Sequence, residues 1–160
     1  MLRPERLQIG DQLPADWVLP NQFGEPVRMG SFAGRNLVLY FYPADDTPGC
    51  TVEGREFREL HDEFRALDCE VVGVSVDSVQ SHRRFAERHD LRFTLLSDRD
   101  GELARRLGVL GEQVAERATF VIDRELRVRR CFEAVRPRGH AQQVLDFVRS
   151  LLESHRMLGG

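Results

Sequence analysis

One cysteine in this chain stands where a reactive sulfur would be put. Cys50 closes the string Pro43-Ala44-Asp45-Asp46-Thr47-Pro48-Gly49-Cys50, which leads from an apolar run into a helical pattern. Thr47 suits an N-cap, Pro48 the first helical position, and Gly49 a close approach to the backbone. Cys50 therefore falls in a first helical turn, where N–H groups lack intrahelical partners and the helix dipole favours an anion. The thiolate is the nucleophilic form of cysteine, and such surroundings with a nearby cation favour it. Helix capping alone would explain Thr47, Pro48 and Gly49 equally well, so the local pattern decides nothing about reactivity.

The other chemistry-bearing residues are sparse. Cys69 and Cys131 complete an odd set of three cysteines with no C-x-x-C. Neither a disulfide scaffold nor a zinc site is suggested. His61, His82, His89 and His155 share no metal-ligand spacing, so no metal and no cofactor is expected. Asp45 and Asp46 read as solvated or helix-capping loop carboxylates. Glu53 reads as an acid that favours the helix N-terminus and pairs with an arginine. His140 opens the last helix and caps or packs there.

The elements that must position Cys50 follow from hydrophobic periodicity. Residues 36–42 are almost wholly apolar and predict a central strand covered on both faces. Over residues 48–67, Phe57, Leu60, Phe64 and Leu67 recur at helical spacing against a charged face, predicting one amphipathic helix. Residues 70–76 predict a second buried strand, 78–89 a helix with Phe85 and Ala86 inward, 93–96 a short strand and 101–107 a short helix. Residues 117–123 predict a strand, 124–127 a turn, 128–135 its antiparallel partner and 140–152 a closing helix. Upstream, residues 17–20 and 27–29 flank a small hairpin turn, and residues 1–13 read as an arm or short first strand. This order predicts an α/β, thioredoxin-like fold: a mixed central sheet with helices on both faces and an N-terminal β extension.

The bulk numbers narrow the function. At 160 residues the chain reads as a single domain over residues 1–160, long enough for a real core. A net charge of -3 gives no reason to expect nucleic acid or an anionic membrane as partner. All 23 basic residues are arginine, which excludes Schiff-base or P-loop lysine chemistry. The start, Met1-Leu2-Arg3-Pro4-Glu5-Arg6, lacks the apolar core of a signal peptide, and no stretch approaches membrane-spanning length. The expected location is cytoplasmic.

A resemblance turns Cys50 into a site. The pattern Pro43-x-x-x-Thr47-x-x-Cys50 matches the active-site motif of the peroxiredoxins, and FYPADDTPGCT resembles the Q-type branch, the bacterioferritin comigratory proteins. Residues 72–75, 96–98 and 139–141 and the string RATFVID, residues 117–123, fall in the order expected of that family, so the likeness spans nearly the whole chain. It implies a thiol-dependent peroxidase acting on hydrogen peroxide and organic hydroperoxides. Cys50 would be the peroxidatic cysteine, attacking a peroxide oxygen and becoming a sulfenic acid. Arg117 and Thr47 match the positions that donate hydrogen bonds to the thiolate and the peroxide oxygens, and Pro43 the one that packs over the sulfur. Without the motif, Arg117 would read as a strand-end salt bridge. The resemblance also implies a monomer. A thiol–disulfide oxidoreductase is disfavoured by the absent C-x-x-C, and a binding module on the same fold by the complete set Thr47, Cys50 and Arg117.

One departure matters. Many Q-type members carry a second cysteine five residues after the first, where this chain has Arg55, and the helix over residues 78–89 has none. Cys69 lies at the far end of the intervening helix, roughly 25–30 Å away, against the about 4.4–6.8 Å that a disulfide spans. Cys131 is expected opposite Thr119 on the neighbouring strand, where one slip in register would turn its side chain to the other face. Both read as core cysteines. The expectation is a one-cysteine cycle in which thioredoxin, glutaredoxin or a low-molecular-weight thiol returns Cys50 to its reduced form.

Overall fold

A computed structural model describes residues 6–157 of the chain. The N-terminal hairpin is β1 (Val18–Pro20) and β2 (Pro26–Arg28), followed by a 3₁₀ turn over Met29–Phe32. The main sheet contains β3 (Asn36–Phe41), β4 (Cys69–Ser75), β5 (Thr94–Ser97), β6 (Ala118–Ile122) and β7 (Val128–Phe132). Its helices are α1 (Pro48–Glu59), α2 (His61–Ala66), α3 (Val79–His89), α4 (Glu102–Arg106) and α5 (His140–Met157). The strand order is β5-β4-β3-β6-β7, parallel across β5, β4 and β3 and antiparallel across β6 and β7. This is the mixed sheet of a thioredoxin-like fold. No helix among the described residues is long and apolar enough to cross a membrane.

The sheet separates two cores. One face buries Val38, Tyr40, Phe57, Phe64, Phe85, Val144 and Val148 beneath α1, α2, α3 and α5, and Cys50 belongs to it. The other buries Leu37, Leu39, Phe41, Phe120 and Ile122 against α4 and the hairpin region. The strict alternation along β3 explains why its sequence has no polar face: both sides are covered.

Two details differ from the sequence expectations, while residues 6–13 take the arm form, one of the two readings given for that stretch. The helix expected over residues 48–67 is two, because Leu60 adopts φ −98° and ψ 3° and bends the chain between α1 and α2. The bend keeps both Phe57 and Phe64 fully buried on one face of the sheet. Residues 6–13 form no named strand but lie along the start of β7, with a bridge from Gln12 to Arg127. The expectation for residues 1–5 lies outside the described residues. Finally, Cys131 pairs with Phe120, one residue away from the expected Thr119, because a bulge between Val121 and Ile122 inserts an extra residue into β7.

Candidate active site

The site is built at the end of the sheet where β3 stops. Chain direction brings its parts together: β6 runs antiparallel to β3 and pairs Ala118 with Phe41, so Arg117 arrives beside the loop that leaves β3. That loop, residues 43–47, feeds directly into α1. Thr51 donates to the Thr47 carbonyl at 2.9 Å, so Cys50 sits just before the helical ladder begins.

Cys50 is buried, with only 2% of its surface exposed. Arg117 Nη2 donates to its sulfur at 3.3 Å, and Nη1 of the same guanidinium donates to Glu53 Oε1 at 2.6 Å. Glu53 lies one turn along α1 and is fully buried, with Oε2 lacking a partner. Burial pushes the Glu53 carboxyl up to about 7, against the opposing pull of Arg117. Arg117 is therefore both the strand-end ion pair that composition alone would suggest and the cation at the sulfur. The space it occupies depends on Gly49: a Cβ there would lie 3.2 Å from Arg117 Nη2 and 3.2 Å from Pro137 Cγ.

Thr47 stands at the N-cap with an extended backbone, as expected, but its side chain makes no cap. Its hydroxyl donates instead to the Ala44 carbonyl at 3.0 Å, which leaves the oxygen as an acceptor. Pro43 is half-buried at the start of the loop. His140 is buried behind the site with Nε2 2.7 Å from Thr119 Oγ1, and burial lowers its pKa to about 4.

The other two sulfurs are placed apart from Cys50. Cys69 opens β4 opposite Asn36, at the far end of β3, and burial pushes its thiol up to about 12. Cys131, turned by the bulge, packs against the core on the opposite face of the sheet, with its thiol pushed up to about 11 by burial.

A second cluster was not legible in the sequence. Asp45 is not a solvated loop acid: its side chain is 2% exposed and lies 2.7 Å from Nδ1 of the fully buried His82. Tyr42 and Ser81 hydroxyls donate to Asp45 at 2.6 and 2.8 Å, and Asp77 Oδ2 accepts from the Asp45 N–H at 2.9 Å. Asp45, Asp77 and His82 bring ligand-type atoms within 4.8 Å of one another. Hydrogen bonds with one another and with the Tyr42, Ser75 and Ser81 hydroxyls join these residues into one polar network.

Residues 9–131 match the AhpC/TSA family. Peroxiredoxin Bcp of Bacillus subtilis is 37% identical over 155 residues, spanning 92% of this chain and 98% of that protein. This chain belongs to the AhpC/TSA family. Its likeness is to the Q-type branch of the peroxiredoxins, and its activity is that of a thiol-dependent peroxidase, with a peroxide as substrate and a thiol reductant such as thioredoxin. Among solved structures, a cysteine-to-serine mutant of PrxQ from Xylella fastidiosa superposes with a TM-score of 0.89 at 33% identity, covering 93% of this chain and 99% of its own. The bacterioferritin comigratory protein of Xanthomonas campestris, described for its alkyl peroxide reduction activity, gives 0.84 at 35% identity over 90% of this peroxiredoxin and 96% of its own chain.

Proposed function

We propose that Cys50 is the peroxidatic nucleophile of this peroxiredoxin and works in a one-cysteine cycle. The observation that carries the reading is the 3.3 Å hydrogen bond from Arg117 to the Cys50 sulfur. The thiolate attacks the terminal oxygen of a hydroperoxide; the S–O bond forms as the O–O bond breaks. Cysteine is oxidised to sulfenic acid, and the departing alkoxide or hydroxide takes up a proton as alcohol or water. Arg117 stabilises the thiolate and then the charge that develops on the leaving oxygen, which its fixed charge and planar donors suit. Thr47, with its own proton directed at Ala44, accepts a hydrogen bond from the peroxide O–H and orients it. Pro43 shields the sulfur from water.

An outside thiol then attacks the sulfenic sulfur, forming a mixed disulfide and releasing water, and a second thiol releases reduced Cys50 as an external disulfide forms. The placement of Cys131 across the sheet and of Cys69 at its far end supports this cycle. Thioredoxin, glutaredoxin and low-molecular-weight thiols fit the role. Organic hydroperoxides join hydrogen peroxide as substrates by analogy with the Xanthomonas relative. A single domain over residues 1–160, a monomeric state and a cytoplasmic location complete the reading.

Peroxide consumption by Cys50→Ser in excess dithiothreitol tests the nucleophile, with complete loss expected; undiminished turnover would overturn it. Non-reducing mass spectrometry after one equivalent of peroxide tests the cycle. A sulfenic acid or its trapped adduct on Cys50 is expected, and a Cys50–Cys69 or Cys50–Cys131 bridge would refute it.

A further inference from the structure

The loop that delivers Cys50 is tied to α3 at two consecutive residues. His82 and His89 lie about two turns apart on that helix and so share a face. His82 Nδ1 meets Asp45 at 2.7 Å, while His89 Nε2 and Arg88 Nη1 meet Asp46 at 3.3 and 3.2 Å. The two ties differ in kind. Asp46 is 36% exposed and its partner Arg88 63%, so that ion pair is weak, and His89 is only partly covered at 17%. The Asp45–His82 pair is sealed, at 2% and 0% exposure.

Proton counting defines that sealed pair. His82 Nε2 faces the Leu96 carbonyl at 2.9 Å, an acceptor only, so this nitrogen carries a proton. Asp45 Oδ1 accepts from Tyr42 and Oδ2 from Ser81. The 2.7 Å between Nδ1 and Asp45 Oδ2 places one shared proton between ring and carboxyl. Tyr42 Oη lies 3.5 Å from the same Nδ1, with its own proton already given to Asp45. The pair thus joins the active-site loop to α3 on one side and to β5, through Leu96, on the other.

We propose that His82 is a positioning residue for the reaction at Cys50, a buried pin that holds Asp45 and with it residues 43–47 and the start of α1. The proposal rests on Cys50 being the peroxidatic sulfur. Its physical basis is that buried polar groups cannot leave their partners without losing hydrogen bonds that no water replaces. With the pin in place, the start of α1 keeps Cys50 where Arg117 reaches its sulfur. Without it, residues 43–47 keep the exposed Asp46 pairs, the Asp45 N–H bond to Asp77 and the Tyr42 and Ser81 hydroxyls on Asp45, but lose the link through the buried ring to β5.

The test uses His82→Gln in the full chain, following Cys50 by stopped-flow oxidation with hydrogen peroxide and, separately, by alkylation with iodoacetamide. Peroxide oxidation needs the aligned guanidinium and should fall roughly 10–100-fold, as expected for misplacement by about 1 Å. Alkylation consumes the same thiolate but has no departing oxygen for the guanidinium to stabilise, so it should fall far less. Peroxide oxidation within twofold of the parent would overturn the proposal. So would an equal fall in both reactions, which would mean an altered thiol in place of a misplaced one. Should the variant fail to fold, the ¹⁵N spectrum of His82 in the unaltered protein at neutral pH decides. A protonated Nε2, held by the Leu96 carbonyl, is expected, and a bare Nε2 would overturn the pin. These outcomes are independent of Cys50→Ser, whose retained activity would instead remove the reading of the site.

Discussion

Glu53 Oε1 accepts from Arg117 Nη1 at 2.6 Å, inside a core where Glu53 has no contact with solvent. The carboxylate holds one arm of the guanidinium so that the other can point at the Cys50 sulfur. A planar, two-armed cation is needed for this, and lysine could serve only one of the two partners.

Arg117→Lys should therefore lower the second-order rate of peroxide reduction by roughly 100-fold, the loss typical of removing one donor at a developing oxyanion. Peroxide-dependent oxidation of Cys50, followed by intrinsic fluorescence in stopped flow, checks it. A rate within threefold of the parent would show that charge alone suffices.

The buried Glu53 also predicts a pH dependence of stability. Its carboxyl titrates at about 7 in the fold against an ordinary value of 4.5, so the folded state binds more protons between these limits. Stability from this group is present below about 4.5 and is lost as pH rises through about 7, by on the order of 3 kcal/mol. His140, lowered to about 4 from 6.5, acts in the opposite sense, losing stability as pH falls through that window. The Glu53 contribution is isolated by comparing urea unfolding of Glu53→Gln with the parent at pH 5 and pH 8. The variant should gain relative stability at the higher pH; a difference that does not change with pH would count against the buried acid.

Gly49→Ala separates the site from the helix. Alanine is the better helix former, by about 1 kcal/mol in a helix interior. Here, however, its Cβ would press on Arg117 Nη2 and Pro137 Cγ, each 3.2 Å away. Thermal stability should change little while the peroxide rate falls about tenfold. An unchanged rate would mean that the guanidinium can give way without losing the sulfur.

The double variant Cys69→Ala with Cys131→Ser should turn over peroxide at the parent rate with dithiothreitol or thioredoxin as reductant. Both thiols are pushed well above neutral by burial and neither faces Cys50. A fall of more than about threefold with thioredoxin alone would assign one of them a resolving role.

Much of this arrangement is legible in the chain. The apolar run of β3, the Thr47-Pro48-Gly49-Cys50 start of α1 and the strand that begins after Arg117 are local patterns, and local periodicity reads them correctly. The clamp on Asp45 is not, because His82 lies 37 residues away and no spacing rule links a loop acid to a helix in another unit of the fold. The nearest available signal was the seven-residue interval between His82 and His89, which places both on one helix face.

Sequence alone determined that this chain carries a single cysteine at a helix start, an arginine poised to join it and no second thiol in the usual places. Tertiary structure decided what each would face. One bulge between β6 and β7 turned Cys131 to the opposite core, since successive strand residues alternate sides and one extra residue reverses them. The hydroxyl of Thr47 went to Ala44 and away from the helix cap, and Asp45 left solvent for a buried contact with His82. These outcomes depend on which groups meet after the chain has closed on itself, where hydrogen-bond partners and burial are set by residues distant in sequence.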